Sequence, residues 1–83
     1  MEERLVGEVT HYFGKIDVAG IRLSDDLAVG DEVRIGGHTT GFTCTVGSMQ
    51  IDHQAVEKAG SGDQIGMRVP ERVREGDRIF KIA

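Results

Sequence analysis

Gly30-Asp31-Glu32-Val33 reads as a turn running into a strand, and the same wording returns as Gly62-Asp63-Gln64-Ile65 and as Gly76-Asp77-Arg78-Ile79. In each copy glycine supplies the positive φ of a tight turn and aspartate can bond the local backbone. The apolar residue two places after the aspartate opens the inward-facing positions of a strand. Three turns feeding three strands point to an all-β chain.

The rest of the sequence agrees. Leu5, Gly7, Val9, His11 and Phe13 fall on one face and Val6, Glu8, Thr10 and Tyr12 on the other, as in a half-buried first strand that Gly14-Lys15 then turns. Ile16 and Val18 are in one phase and Ile21 and Leu23 in the other, so an extra residue is expected near Ala19-Gly20. Phe42, Cys44 and Val46 likewise give way to Met49, Ile51 and His53 across Gly47-Ser48. Two glycine bulges imply strongly bent strands, and bent strands close small barrels. The expected strands are 4–13, 16–23, 31–37, 41–53, 62–69 and 77–82. Gln54–Ala59 is expected to form one helical turn, and Glu71–Glu75 a short connecting turn or an extra strand. The architecture expected is a small closed antiparallel β-barrel of six to seven strands, filling residues 1–83 as one domain.

With 83 residues there is room for one core. The single Cys44 cannot form an internal disulfide, which suits a reducing, cytoplasmic setting. The N-terminus carries acidic residues where a signal peptide is basic, and no apolar run approaches the roughly 20 residues of a membrane span, so no membrane association is expected. Net charge is −4, with eight acidic and four basic residues in 1–41 and six of each in 42–83. That balance argues against a surface that grips nucleic acid all round. Arg68, Arg72, Arg74, Arg78 and Lys81 set against Glu71, Glu75 and Asp77 give only a local basic excess.

Catalytic and cofactor chemistry finds no support. Gly14-Lys15 lacks both the spacing and the Ser or Thr of a phosphate loop. Gly60-x-Gly62-x-x-x-Gly66 is one residue too long for a dinucleotide fingerprint and runs into a strand. His11, His38 and His53 are scattered, with no partners at zinc-ligand spacing. His11 reads as a hydrogen-bonded core-edge residue, Cys44 as a small inward apolar residue, and Ser24-Asp25-Asp26 as an exposed turn. No cofactor, metal or small-molecule substrate is indicated, and the chain is expected not to be an enzyme. Tyr12, on a predicted wet face, could stack on a base or dock a partner.

The order of the pieces resembles the β-barrel second domain of the translational GTPases. The resemblance rests on Gly7-x-Val9, Leu27-x-Val29-Gly30-Asp31-x-Val33, Thr43-Cys44-Thr45-Val46 through Met49, Ala59-Gly60, Gly62-Asp63-x-Ile65-Gly66 and Val73-x-Glu75-Gly76-Asp77-x-Ile79. Val9-Thr10-His11-Tyr12-Phe13, Gly37-His38-Thr39-Thr40 and Ser48-Met49-Gln50-Ile51-Asp52-His53 are similar to a group of stand-alone elongation-factor-like proteins, and a similar barrel is attached to some collagenase-like peptidases. The resemblance implies contact with structured RNA or the ribosome, although Pro70–Glu75 is shorter than the loop with which elongation factor Tu holds transfer RNA. Tyr12, Arg68, Arg72 and Arg74 are the candidate contacts, and Gly30, Asp31, Gly62, Asp63, Gly76 and Asp77 the structural turns. The expected function is therefore a non-catalytic binding module of translation or RNA metabolism. The alternative is a protein-docking adaptor acting in trans with a peptidase-like or GTPase partner.

Overall fold

The computed structural model describes residues 3–37 and 41–82. Ten strands follow in order: β1 (Glu3–Phe13), β2 (Val18–Leu23), β3 (Leu27–Ala28), β4 (Glu32–Gly36), β5 (Gly41–Thr45), β6 (Met49–Ile51), β7 (Gln54–Val56), β8 (Lys58–Ala59), β9 (Gln64–Arg68) and β10 (Arg78–Ile82). Eight form one sheet in the order β5-β4-β10-β1-β2-β9-β6-β7, every neighbouring pair antiparallel, and β3 with β8 forms a separate ribbon. No helix occurs among the described residues.

This pairing is an open order with β5 and β7 at its ends, and among the described residues no ladder joins them into the closed barrel expected from the sequence. The sheet nonetheless coils strongly, because β5 and β6 sit near opposite ends of the order and only residues 46–48 separate them in the chain. Isolated backbone hydrogen bonds stitch the region between: Gly30 N–H to Val46 O, Val46 N–H to Asp31 O and Val29 N–H to Glu57 O, each at 2.8 Å. The coil encloses one core that includes Val6, Val9, Ile21, Leu23, Val33, Ile35, Met49, Ile65, Met67 and Ile79, all at most 2% exposed. Burying each such side chain contributes about 1.5–3 kcal/mol relative to leaving it in water.

Three local readings change. The bulges lie in β1, not in β2: the register jumps across Val6 opposite β10 and across Thr10 opposite β2, whereas β2 pairs β9 without interruption. Ile16, which suggested a slip in β2, sits in the preceding turn, 60% exposed. The long fourth strand breaks at Val46–Ser48, where the chain crosses between sheet ends. Gln54–Ala59 contains β7 and β8 rather than a helical turn. Ile51 pairs with Gln54, so Asp52-His53 is a two-residue hairpin loop, and both residues have positive φ (51° and 65°) as a type I′ turn requires. Asp-His lacks the glycine that usually announces such a turn.

The three repeated turns share one geometry. Gly30, Gly62 and Gly76 have φ of 97°, 90° and 92°. The aspartate after each glycine accepts, through Oδ2, the N–H of the residue three back: Ala28, Gly60 and Arg74, each at 2.9 Å. Its own N–H returns to the carbonyl of that same residue at 3.0–3.1 Å. The following Val33, Ile65 and Ile79 are all buried.

Candidate functional site

The β1 bulges decide which side chains face outward. An extra residue shifts the alternation by one, so beyond Thr10 it is Tyr12 that turns toward the core, while His11 and Phe13 turn to solvent. Tyr12 is thus a half-buried packing residue rather than one on a wet face. Its hydroxyl lies 3.3 Å from Asp17 Oδ1. Loss of water contact, then the Asp17 carboxylate, push the Tyr12 phenol above its ordinary range, and the nearby Arg72 guanidinium opposes them. Arg68 is exposed on β9 opposite Val18, and Arg74 is exposed beside the third Gly-Asp turn, its backbone N–H held by Asp77. None of Arg68, Arg72 and Arg74 lies within 4.0 Å of a carboxylate of the described residues. Three exposed arginines at different stations do not form a single grip.

A better-formed feature lies on the outer face of β1, β2, β9 and β6. One cross-strand row reads His11, Gly20, Gly66, Gln50, and the adjacent row Phe13, Val18, Arg68. Gly20, buried beside the hydrogen-bonded Thr10 and Gln64 side chains, and the half-buried Gly66 carry no side chains at the centre of the sheet, and a furrow of about 460 Å³ opens there. Phe13 and Ile16 form its apolar wall, 48% and 60% exposed. His11 packs edge-on against Phe13 with ring centroids 4.4 Å apart, and its Nδ1 lies 3.5 Å from Glu75 Oε1. It is a surface residue, not the core-edge histidine expected. Asp52 and His53, on the β6–β7 turn, form the far wall.

The fold does not need a glycine at position 20. Its φ is not positive, and a Cβ there would meet Thr10 Oγ1 at 3.4 Å and His11 O at 3.5 Å, which is ordinary van der Waals contact. A glycine inside a strand weakens it, and such positions often mark the close approach of a ligand or another backbone. The sequence pattern hides the furrow, because Gly20 reads as part of a bulge. The available signal was two glycines in the outward phase of strands with exposed apolar neighbours.

The remaining candidates contribute no chemistry that the geometry assembles. Cys44 is half-buried on β5, and burial pushes its thiol up, toward the protonated form. Among the described residues no group of three His, Cys, Asp or Glu side chains is placed to hold a metal ion. His38 lies outside the described residues. No helix of the described residues is long and apolar enough to cross a membrane.

No family model matches the chain. In sequence it is 44% identical over 76 residues to an uncharacterized protease of Methanocaldococcus jannaschii, covering 90% of this chain and 19% of that protein. It is 35% identical over 82 residues to a collagenase of Porphyromonas gingivalis, covering 96% of this chain and 23% of that protein. The chain therefore spans about a fifth of the length of these curated relatives. In structure it is similar to the C-terminal domain of a putative U32 peptidase of Geobacillus thermoleovorans: one crystal structure gives a TM-score of 0.90 at 17% identity, covering 96% of this chain and 93% of that one. A selenomethionine variant of that domain gives 0.88 at 16% identity, covering 92% and 96%. These relatives correct the expectation of a translation-factor barrel. The chain matches a segment of a protease and of a collagenase and shares the fold of a peptidase C-terminal domain, and the Gly-Asp turns that suggested a translational GTPase occur on that fold. With that resemblance set aside, RNA and the ribosome lose the premise on which they were expected.

Proposed function

We propose that this chain is a non-catalytic docking module that serves a peptidase-like protein, bound to it in trans or carried on the same polypeptide, and that it engages protein through the outer-face furrow. One observation carries the reading: Phe13 and Ile16 stand exposed beside a floor made of two glycines, one of which the backbone does not require. Exposed apolar side chains around a concave floor are the ordinary anatomy of a protein-contact site. The relatives support the choice of partner class, since in each the matching segment is about a fifth of a protein named as a protease or collagenase. On this reading the coiled sheet works as a closed barrel, its seam held by the Val46 and Glu57 hydrogen bonds, and it presents the furrow on a rigid support in a reducing compartment.

The test is crosslinking and affinity capture from native extract, with and without nuclease, comparing the wild-type protein with a Phe13→Ser/Ile16→Ser variant. Stoichiometric, nuclease-resistant recovery of a peptidase-like protein that the variant loses supports the proposal. Recovery that disappears with nuclease, or that the variant leaves unchanged, refutes it.

A further inference from the structure

Two arginines stand just beyond the furrow's lining, one toward each end of its glycine row. On β2 the outward residues run Val18, Gly20, Arg22, and on β9 they run Gln64, Gly66, Arg68. Because β2 and β9 are antiparallel, Arg22 pairs with Gln64 and Arg68 with Val18, so the two arginines stand at opposite ends of the glycine floor. Each lies two residues from a floor glycine, about 6.7 Å along its strand. Both are exposed, and neither lies within 4.0 Å of a carboxylate of the described residues. Other charges stand to the side of this axis: Glu8 opposite Arg22, Asp52 on the far wall, and Glu75 beside His11. Thr10 Oγ1, which receives Gln64 Nε2 at 2.8 Å, bridges the strands between the floor and the Arg22 end.

An extended peptide has the same spacing. Its residues i−2, i and i+2 point to one side at intervals of about 6.7 Å, so an apolar side chain seated over Gly20 and Gly66 brings its two same-side neighbours to Arg22 and Arg68. We infer that the furrow takes an extended protein segment of the form acidic-x-apolar-x-acidic, the apolar side chain on the glycine floor and each carboxylate at one arginine. This inference rests on the docking reading above and adds the chemistry of the partner. Two arginines with one apolar seat between them would disfavour a basic segment as strongly as they favour an acidic one.

The experiment is selection of a displayed library of random twelve-residue peptides on the folded protein, followed by amide-shift mapping with the enriched peptides and with two fixed probes. The probes share a Phe at the centre and carry Glu, or Lys, two places to either side. The expected result is enrichment of Asp or Glu at both flanking positions, shifts centred on the Gly20 and Gly66 amides, and a Glu probe that binds at least about tenfold more tightly than the Lys probe at low salt. An Arg22→Glu/Arg68→Glu variant with unchanged amide dispersion should reverse that order, and Arg22→Gln/Arg68→Gln should abolish it. Peptides that move the Gly20 and Gly66 amides without an acidic preference overturn the charge pattern and leave the docking reading standing. If no enriched peptide or probe moves those amides, both fall.

Discussion

Replacing Asp77 with alanine tests whether the repeated turns support the fold through their aspartates. Asp77 is 4% exposed, and its Oδ2 accepts the Arg74 N–H at 2.9 Å. Its backbone also ties the turn to β1, since Val9 N–H donates to Asp77 O at 2.7 Å and Gly76 N–H donates to Val9 O at 2.9 Å, beside the bulge at Thr10. Alanine keeps the backbone and removes the acceptor, leaving the Arg74 N–H without its partner. A hydrogen bond to a charged group contributes about 1.5–3 kcal/mol, and the partly buried Arg74 N–H regains some water when its acceptor is removed, so the expected loss lies toward the lower end, about 2 kcal/mol. For a domain of this length that lowers Tm by roughly 8–16 °C. Asp63→Ala removes the same bond at a less buried site and should cost about half as much, and Asp77→Asn, which keeps an acceptor oxygen, less than Asp77→Ala. Thermal unfolding followed by circular dichroism gives all three values. An Asp77→Ala protein that melts within about 2 °C of wild type, or at or above the Asp63→Ala protein, would refute the claim that burial of this aspartate sets the cost.

Gly76→Val should destabilise by roughly 1 kcal/mol or more, because a β-branched side chain clashes at its φ of 92°, whereas Gly20→Ala should melt at or above the wild-type temperature, since its Cβ meets only ordinary contacts; a wild-type melting temperature for Gly76→Val contradicts the first assignment, and a lowered one for Gly20→Ala the second. Tyr12 is the one tyrosine, so ultraviolet absorbance titrates it alone. Its midpoint should lie above the usual value of about 10, and Asp17→Asn should bring it part of the way back. Because the folded pKa is the higher of the two, the proton-linked stability is present below the unfolded pKa and is lost as pH rises from that value through the folded one.

Much of the fold was legible in the chain. Gly30, Gly62 and Gly76 announced their turns because positive φ is a local property that glycine tolerates better than any other residue, and the apolar residues after each turn are those that face the core. The alternation of β1 and β9 declared strands for a similarly local reason. What lay beyond reach involved partners distant in sequence. A bulge exists only relative to the opposing strand, so neither Val6 nor Thr10 carries a mark of its own, yet their slips turned Tyr12 inward and Phe13 outward. The Asp52-His53 turn was hidden because its residues reach positive φ only where the β6–β7 pairing holds them there.

The candidate site divides along the same line. The residue types of Gly20, Gly66, Phe13, Ile16, Arg22 and Arg68 were visible from the start, and the absence of any familiar catalytic spacing was too. Their assembly was not visible, because Gly20 and Gly66 are far apart in the chain and become one floor only through the β2–β9 register. Local conformational preference is written in the sequence residue by residue. Which side chains share a surface is decided by strand pairing, and that balance of long-range contacts belongs to the tertiary structure alone.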